Sequence, residues 1–404
     1  MKKTNVEWIG DIPESWNLVS YKYIAQLING YAFNSDDYAE EGIPIIRISD
    51  VRENIDWSQV KKIPNDKVEG MDSFFINNGD ILIALTGGTI GKTSIFNGHS
   101  KALLNQRVGL LKPLKTTSEF LKYIADSTLF KEPIKLYSIG GAQPNIGKQE
   151  IDNLKIPFPT VNEQQQIANF LDEKTFKLDS VIASKQKQIN LLKEQKQALI
   201  SEVVTKGLNS HVNNSSHAKL RYFIELDKGK KPDNLNTDKI GRPYISASSF
   251  DFGIYKEYTI DEKILECNEN DSIVLWDGAR AGLITTNHSG AVSSTAVRIR
   301  ANNKIHPGYL FYILKSNESI FRSKVNGTTI PHMSKSYIDE IVFKVFPMNE
   351  QEEIVEYLNK RTIKIGWLIS KIETEIEKLK EYKQSLIFEA VTGKIDVTHE
   401  DTVA

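Results

Sequence analysis

The sequence predicts a mixed α/β (α+β) fold with two similar globular domains, each followed by one long helix. Three observations lead to this prediction. The chain has 404 residues, more than one hydrophobic core normally serves. Two regions contain short β-branched and aromatic runs broken by Gly, Asn and Asp, a pattern typical of strands. A helical pattern that begins at Asn162 also returns at Asn349, 187 residues later (349 − 162). This repeat predicts a pseudo-twofold molecule with two similar surfaces.

Residues 1–158 are expected to form the first globular domain. Strand-like runs occur at 43–48 and 80–85, where apolar residues lie between turn-forming residues. Residues 120–130 carry apolar side chains at helical spacing, which predicts a helix there.

The first long helix is expected within residues 159–207. Asn162 is its predicted N-cap, with Gln165 three residues later, and Gly207 is its predicted end. A continuous helix from Gln164 to Lys206 would be about 64 Å long. Apolar residues recur at spacings of three, four and seven, so we expect the two long helices to pack antiparallel along a heptad seam. The predicted seam residues are Ile167, Leu171, Leu178, Ile182, Ile189, Leu192 and Leu199 in the first helix, and Ile354, Leu358, Ile365, Ile369, Ile376, Leu379 and Leu386 in the second.

The second half of the chain repeats this order. A polar linker is expected at 208–219, and the second globular domain at 220–345, with strand-like runs at 242–247 and 271–276. The second long helix is expected within 346–395, ending at Gly393, and residues 396–404 form a tail.

The helices of the two halves are nearly copied, whereas the loops of the domains diverge. The segment 140–148 aligns with 327–335, again 187 residues later, but the glycine-rich loops near 86–92 and 277–282 differ in sequence. A scaffold that is used twice with different loops suits a protein that recognises two different things at a fixed separation.

The composition limits the possible classes of protein. The single cysteine, Cys267, excludes an intrachain disulfide and fits a reducing cytosol. The sequence contains no apolar run long enough to span a membrane and no signal peptide, so we expect a cytoplasmic protein. The net charge is −1. Binding to nucleic acid would therefore require local clusters of Lys and Arg, or a partner that supplies positive charge.

The segment Thr86–Thr93 is similar to a phosphate-binding loop but departs from the pattern. Thr86 stands where the first glycine is required, and a strand-like run follows instead of a helix. A glycine-rich loop that carries Lys92 or Arg280 is better suited to approach a DNA backbone or base edge. The alternative is a tight turn that needs glycine for its backbone angles.

The sequence contains no recognised catalytic arrangement. Asp233, Asp261 and Lys263 loosely match a metal-dependent nuclease, but the first half has no equivalent, and a solvated loop explains them. The scattered histidines argue against a zinc site. The tetrapeptide of adenine methyltransferases and the Gly-x-Ser-x-Gly elbow are absent. We therefore expect a protein that is not an enzyme and holds no metal.

Three features together resemble the specificity (S) subunits of Type I restriction–modification systems. The segment Trp8–Trp16 is similar to the opening of that family. The segment Ile156–Pro159, which runs into Asn162–Ile167, is similar to the family's exit from a target-recognition domain into a conserved helix. The third feature is the two-copy architecture, although the second exit, Val345–Met348, departs somewhat from the first.

The resemblance implies a function in DNA recognition. Each of two target-recognition domains would read one half of a bipartite, asymmetric target in double-stranded DNA. The long helices would set the spacer and dock two methyltransferase (M) subunits, and endonuclease–translocase (R) subunits would complete the complex. The chain itself would bind no cofactor, because S-adenosylmethionine, ATP and Mg²⁺ would belong to the partner subunits.

The candidate DNA-binding residues are polar or basic and lie on glycine-rich or extended loops. Asn and Gln suit adenine, whereas Arg and Lys suit guanine. For each residue the alternative is a solvated loop or a hydrogen bond within a turn. The candidates are Arg47, Thr86, Lys92, Gln106, Arg107, Gln143, Asn145 and Lys148 in the first domain, and Ser246, Ser248, Arg280, Ser293, Ser294, Thr328, His332 and Lys335 in the second.

Two other classes of protein remain as alternatives. A coiled-coil assembly adaptor without a DNA role would explain the helices but not the two polar-looped domains. A specificity region fused to its own nuclease would require methyltransferase or ATPase motifs, which are absent from the sequence.

Overall fold

The computed structural model describes residues 1–52, 55–138, 145–208, 216–252, 254–325 and 331–397. The chain divides into two compact units. Unit 1 comprises Met1–Ser184 and Glu375–Ala404, and unit 2 comprises Lys185–Thr374. Each long helix begins in one unit and ends in the other.

Unit 1 is built from short strands, three short helices and segments of both long helices. Its strands are β1 (Lys2–Lys3), β2 (Asp11–Ile12), β3 (Asn17–Ser20), β4 (Ala25–Asn29), β5 (Ile43–Ile46), β6 (Lys61–Ile63), β7 (Phe75–Ile76), β8 (Ile81–Ala84), β9 (Thr93–Ile95), β10 (Ala102–Leu104), β11 (Val108–Pro113) and β12 (Lys155–Phe158). Its helices are α1 (Ser118–Asp126), α2 (Thr128–Tyr137), α3 (Lys148–Asp152) and the first part of α4 (Val161–Lys206).

Two four-stranded sheets form the body of unit 1, in the orders β4-β11-β8-β9 and β6-β5-β10-β7. Only β5 and β10 pair in parallel among these strands. Strand β8 is buried along its whole length because its two faces contact different cores. Ile81 and Ile83 face the core shared with α1, α2 and α4, whereas Leu82 and Ala84 face the second core. Burial on both faces explains why this strand is a continuous apolar run.

Unit 2 repeats the order from β3 to α4, but its described residues include no counterpart of β1 and β2, and its short helix Ser249–Phe252 has no α-helical counterpart in unit 1. Its strands are β13 (Ser216–Lys219), β14 (Ile224–Lys228), β15 (Arg242–Ile245), β16 (Tyr258–Thr259), β17 (Glu266–Cys267), β18 (Ser272–Leu275), β19 (Ile284–Thr285), β20 (Gly290–Val292), β21 (Ala296–Ala301) and β22 (Val342–Val345). Its helices are the rest of α4, α5 (Ser249–Phe252), α6 (Pro307–Ser316), α7 (Glu318–Val325), α8 (Lys335–Asp339) and the first part of α9 (Met348–Val391).

The sheets of unit 2 repeat those of unit 1 strand by strand. Their orders are β14-β21-β18-β19 and β16-β15-β20-β17, with β15 and β20 in parallel where unit 1 has β5 and β10. The exit strands also match, since β12 pairs with β3 and β22 pairs with β13. The prediction of a duplicated mixed α/β fold is confirmed.

The prediction of two long helices is also confirmed, with 46 residues in α4 and 44 in α9. The predicted N-cap at Asn162 is wrong, because the helix begins two residues earlier in the cap formed by Thr160 and Glu163. The backbone N–H of Thr160 donates to Glu163 Oε2 at 2.8 Å, and the N–H of Glu163 donates to Thr160 Oγ1 at 3.4 Å. Gly207 and Gly393 follow the helix ends with φ values of +81° and +72°, the left-handed conformation that favours glycine there.

The seam residues of the long helices are buried or half-buried. In unit 1, Ile167 and Leu171 of α4 share a core with Leu386 near the end of α9. In unit 2, Ile200 near the end of α4 shares a core with Ile354 near the start of α9. Each unit therefore pairs the start of one helix with the end of the other, as antiparallel packing requires. Ile189, Leu358, Ile365 and Ile376 are also buried, and Leu178, Ile182, Leu192, Leu199, Ile369 and Leu379 are partly exposed.

Two local features differ from the sequence-based predictions. The helix predicted over 120–130 is interrupted at Ser127, whose backbone is extended and whose hydroxyl donates to the Ile124 carbonyl at 2.6 Å. The predicted linker 208–219 contains strand β13, because residues 216–219 pair with the exit strand β22. None of the described helices is both long enough and apolar enough to cross a membrane.

Candidate nucleic-acid interface

A glycine-rich loop joins β8 to β9 in unit 1, and its equivalent joins β18 to β19 in unit 2. Gly87 and Gly91 have φ values of +70° and +74°, and Gly278 and Gly282 have +93° and +89°. The N–H of Gly91 donates to the Ala84 carbonyl at 2.9 Å, and the N–H of Gly282 makes the matching bond to Leu275 at 2.8 Å. Each loop is thus a tight hairpin between strands, not the strand-to-helix turn of a phosphate-binding loop. Although the two loops differ in sequence, their glycine geometry and closing hydrogen bonds are the same.

A second segment lies beside each hairpin loop. The N–H of Ile146 donates to the Leu85 carbonyl at 3.0 Å, and that of Met333 donates to the Trp276 carbonyl at 2.8 Å. These bonds bring Thr86 next to Asn145 and Asp277 next to His332, each pair as an isolated β-bridge. The predicted residues of the two segments therefore meet on one surface in each unit. Gln143 and Thr328 lie outside the described residues.

Three of the predicted residues of unit 1 line one open cleft of about 460 Å³: Arg47, Gln106 and Arg107. The sequence-based prediction missed the other polar residues of this cleft. Asn34 and Ser35 are turn-forming residues, which is the signal that a search for polar loops could have used. The missed polar residues are Asn34, Ser35, Tyr38, Ser49 and Asn105.

The side chain of Arg47 is held in place within the cleft. Its Nε donates to Asp50 Oδ2 at 3.2 Å, and its Nη2 donates to the Gln59 carbonyl at 3.1 Å. Asp50 is buried and also accepts from the backbone N–H of Arg47 at 3.0 Å. A guanidinium has five N–H donors, so the remaining donors of Arg47 stay available for a ligand in the cleft.

The corresponding turn of unit 2 carries serines. The N–H of Ser246 donates to Ser249 Oγ at 3.3 Å, as that of Arg47 does to Asp50, and the hydroxyls of Ser246 and Ser248 lie 3.2 Å apart. Arg280 reaches back from the hairpin loop and donates to the Ala247 carbonyl at 3.0 Å. Arg280, Ser246 and Ser248 are therefore brought together.

Ser293 and Ser294, which lie between β20 and β21 in unit 2, are placed less favourably to contact DNA. Ser293 is buried, and its hydroxyl lies 3.1 Å from that of Thr295. Ser294 is partly exposed, and its N–H donates to the Tyr244 hydroxyl at 3.3 Å. Of these two residues, only Ser294 offers its side chain to the surface.

The lysines predicted to contact DNA are exposed. Lys92 lies at the end of the first hairpin loop, and Lys148 and Lys335 begin α3 and α8. Lys148 forms an ion pair with Asp152 one turn along its helix. Within the described ranges, no group of three or more His, Cys, Asp or Glu side chains is placed to hold a metal ion.

Acidic Asp277 lies at the centre of a charged cluster on the unit 2 loop. Lys228 Nζ donates to Asp277 Oδ2 at 2.9 Å, and His332 Nδ1 bonds to Asp277 Oδ1. Burial acts to raise the pKa of Asp277, but the hydrogen bonds from Lys228 and His332 outweigh it and hold that pKa below its usual value. Asp277 is therefore ionised at neutral pH.

Buried glutamines fix each globular body to its long helix. Gln164 Oε1 accepts from the N–H of Thr117 at the start of α1, and its Nε2 donates to the Pro159 carbonyl at 3.1 Å. Gln351 does the same in unit 2, where Oε1 accepts from the N–H of His306 and Nε2 donates to the Phe346 carbonyl, both at 2.8 Å. The repeated Asn-Glu-Gln motif thus has a structural role.

A tyrosine on each domain helix adds a second attachment. The hydroxyl of Tyr123 on α1 lies 3.3 Å from Thr175 Oγ1 on α4, and that of Tyr312 on α6 lies 3.2 Å from Thr362 Oγ1 on α9. These attachments hold the loop-bearing domain of each unit in a defined orientation on its helix.

Two copies of one loop-bearing domain, each fixed to a long helix, define a protein with a duplicated recognition domain. The chain belongs to the family of Type I restriction modification DNA specificity domains, whose model matches residues 13–194 and 216–378. It is 36% identical over 169 residues to the Type I restriction enzyme MjaVIII specificity subunit of Methanocaldococcus jannaschii, a match that covers 41% of this chain and 39% of that protein.

Two further similarities extend over nearly the whole chain. The Type I restriction enzyme EcoKI specificity subunit of Escherichia coli K12 is 24% identical, with 96% of this chain and 90% of that protein covered. A solved chain from work on complex assembly and conformational transition of the type I R-M system has a TM-score of 0.73 at 15% identity, covering 95% of this chain and 100% of that chain. The latter similarity shows the shared fold.

Proposed function

We propose that this chain is the DNA-specificity subunit of a Type I restriction–modification complex, and that each unit reads one half of a bipartite target in double-stranded DNA. One observation carries the proposal: the two units repeat the same strand order and loop geometry but present different side chains at equivalent positions. Arg47 corresponds to Ser246, and Thr86 corresponds to Asp277. Two units with the same backbone framework but different side chains are suited to a target whose two halves differ in sequence.

The chemistry of the two loop surfaces supports base recognition. In unit 1, Arg47 and Arg107 provide paired N–H donors of the kind that bind guanine, and Gln106 and Asn145 suit adenine. Exposed Lys92 supplies positive charge for phosphate contacts, which fix position without specifying sequence. Local placement of these cations allows DNA binding by a chain whose net charge is −1.

Repeated exposed side chains on the long helices support the docking of two methyltransferase subunits. Phe176 of α4 and Ile363 of α9 are related by the 187-residue repeat and are 74% and 71% exposed. Lys174 lies over the ring of Phe170, and Arg361 lies in the same way over Tyr357. The same exposed surface on each helix suits two copies of one partner.

The proposed complex assigns the chemistry to the partners. S-adenosylmethionine, ATP and Mg²⁺ would be bound by the methyltransferase and endonuclease–translocase subunits, and this chain would position them on DNA in the cytoplasm. The long helices would set the number of unread base pairs between the half-sites.

Methylation mapping tests the proposed function. The chain is expressed with its methyltransferase partner in a host that lacks other methylation systems, and modified bases are located by long-read sequencing. We expect methylation at one bipartite motif with a fixed spacer, and none without this chain. Motif-independent or absent methylation, from a complex that still assembles, would instead support the coiled-coil adaptor.

A further inference from the structure

Three structurally equivalent positions at the hairpin loop and at the end of a nearby strand carry different chemistry in the two units. The strand register makes the correspondence explicit. Asn29 of β4 pairs with Gly109 of β11, and Lys228 of β14 pairs with Val297 of β21, so Asn29 and Lys228 end equivalent strands. The equivalent β-bridges complete the two sets, which are Asn29, Thr86 and Asn145 in unit 1 and Lys228, Asp277 and His332 in unit 2.

The unit 2 set is charged and remains accessible. The Asp277 side chain is 28% exposed and that of His332 is 56% exposed, although both are engaged in the cluster. The two carboxylate oxygens of Asp277 provide about four acceptor sites, and Lys228 and His332 occupy one on each oxygen. The carboxylate therefore keeps acceptor capacity toward solvent.

The charge of Asp277 limits what it can meet on DNA. A carboxylate repels phosphate oxygens, so Asp277 is unsuited to contact the backbone. In the major groove, the exocyclic amino groups of cytosine and adenine are the donors that a carboxylate can accept from, whereas guanine and thymine present acceptors there. Lys228 and His332 hold the carboxylate in one orientation, and the positive charge of Lys228 reduces its repulsion from the nearby phosphates.

We propose that Asp277, positioned by Lys228 and His332, reads the exocyclic amino group of a cytosine or adenine in the half-site bound by unit 2. This inference rests on the proposed function. The neutral set in unit 1 has no carboxylate, so the equivalent position of the other half-site is read differently. Asp277 is thus a specificity-determining residue, and Lys228 and His332 are positioning residues.

The test is methylation mapping of the complete complex with Asp277→Asn, a change that keeps the size of the side chain and removes its charge. We expect one base position in the unit 2 half-site to lose its preference for cytosine or adenine by about tenfold or more. The other half-site and the spacer should stay unchanged. The base that loses its preference identifies which amino group is read.

Glu269→Gln is the matched control, because Glu269 is exposed on the turn before β18, at the opposite end of the strand from Asp277. It should leave both half-sites as in the wild type. A second variant copies the unit 1 set through Lys228→Asn, Asp277→Thr and His332→Asn, and it should change the preferred base at the same position.

The outcomes separate this inference from the proposed function. The inference would be overturned if the unit 2 half-site stays unchanged in both the Asp277→Asn and the triple variant at normal methylation levels. The cluster around Asp277 would then serve only to order the loop. A wild-type complex that methylates no bipartite motif would overturn the proposed function, and this inference with it.

Discussion

At the scale of single residues, Gln164 and Gln351 show how a short repeated motif can serve structure while neighbouring loops serve recognition. Each amide is buried, accepts from the backbone N–H of the residue that caps a domain helix, and donates to the carbonyl of the residue that follows an exit strand. A buried amide that satisfies backbone groups on two elements restricts their relative orientation. The repeat of this motif therefore reflects a geometric requirement present in both units.

Gln164→Ala should lower the free energy of unfolding by about 2 kcal/mol, because it leaves the N–H of Thr117 and the carbonyl of Pro159 without their partner. Chemical denaturation measures this effect. Gln165→Ala, one residue along on the exposed face, is the control and should change stability little. Equal effects of the two substitutions would contradict the role assigned to Gln164.

Arg107→Ala should weaken discrimination at one base of the unit 1 half-site by about 1–3 kcal/mol, because an exposed guanidinium in the cleft suits guanine. Methylation rates on targets that differ at single bases measure this change. Lys112→Ala provides the control, since Lys112 is exposed near the far end of β11, the strand that follows Arg107. If Arg107→Ala leaves both the rate and the target sequence unchanged, Arg107 has no part in recognition.

A local pattern in the sequence was sufficient to select some polar residues that the structure brings together, but it could not identify residues that are positioned by the pairing of distant strands. Arg47, Gln106 and Arg107 were selected as polar loop residues, and the structure places them in one cleft. Lys228 was missed because it ends a strand, and only the pairing of that strand across the sheet brings its side chain to Asp277 of the hairpin loop. Ser293 was selected as a loop residue, but it is buried beneath the surface.

At the scale of elements, the termini of the long helices depend on glycines in a conformation that other residues adopt poorly. Gly207 ends α4 at a φ of +81°, and an added Cβ would lie 2.7 Å from Glu350 Oε1 and 3.0 Å from the Phe346 ring. Gly366 lies inside α9, and an added Cβ there would meet no atom within 4 Å apart from the neighbouring backbone of its own helix. The two glycines therefore respond oppositely to the same substitution.

Gly207→Ala should destabilise the protein by about 1–2 kcal/mol through the left-handed backbone, with a further penalty from the contact to Phe346. Gly366→Ala should stabilise it by about 0.5–1 kcal/mol, because alanine favours a helix interior. Thermal unfolding of the two variants beside the wild type measures both effects. A shift in the same direction for both would contradict the assigned roles of these glycines.

The periodicity of the sequence, with its glycines, was sufficient to predict both long helices and their C-terminal ends. It was not sufficient to predict the start of α4 or the break between α1 and α2. Heptad spacing over 43 residues leaves little ambiguity about helix type, and glycine marks the ends. The predicted start of α4 is wrong because Thr160 with Glu163 and Asn162 with Gln165 are both plausible caps in the sequence, and the structure forms the first of them. No proline or glycine lies at the break at Ser127, so the sequence gives no signal for it.

At the scale of the whole molecule, the repeat in the sequence predicts a repeat in the structure. The globular domains are more similar in structure than their weak sequence similarity suggests. The orders of the four-stranded sheets match in the two units, and among their described strands each unit has one parallel pair. The target sequence was not predictable, because it depends on side chains whose neighbours come from separate strands and loops. The framework is encoded by repeated apolar positions, and the specificity by the few polar positions between them.

Inserting four residues between 182 and 200 of α4 should lengthen the spacer without altering either half-site. The insertion adds about 6 Å of helix, close to two base-pair steps of duplex DNA. Methylation mapping reports the spacer directly. The same four residues placed after Val397, beyond the end of α9, form the control and should leave the spacer unchanged. An unchanged spacer in the α4 variant would contradict the proposal that this helix sets the distance.

The hairpin loops between paired strands have a consequence for how such a protein changes over generations. Their backbone path is fixed by two left-handed glycines and by hydrogen bonds from main-chain groups, which do not depend on the side chains between them. Substitutions at the exposed intervening positions, such as Thr89 and Ala279, therefore meet little resistance from folding, whereas Ala281 and Ile90 pack in the cores. A lineage can acquire a new target by a few point changes while its stability remains nearly constant, so selection for new recognition can act on these loops almost independently of selection for a folded chain.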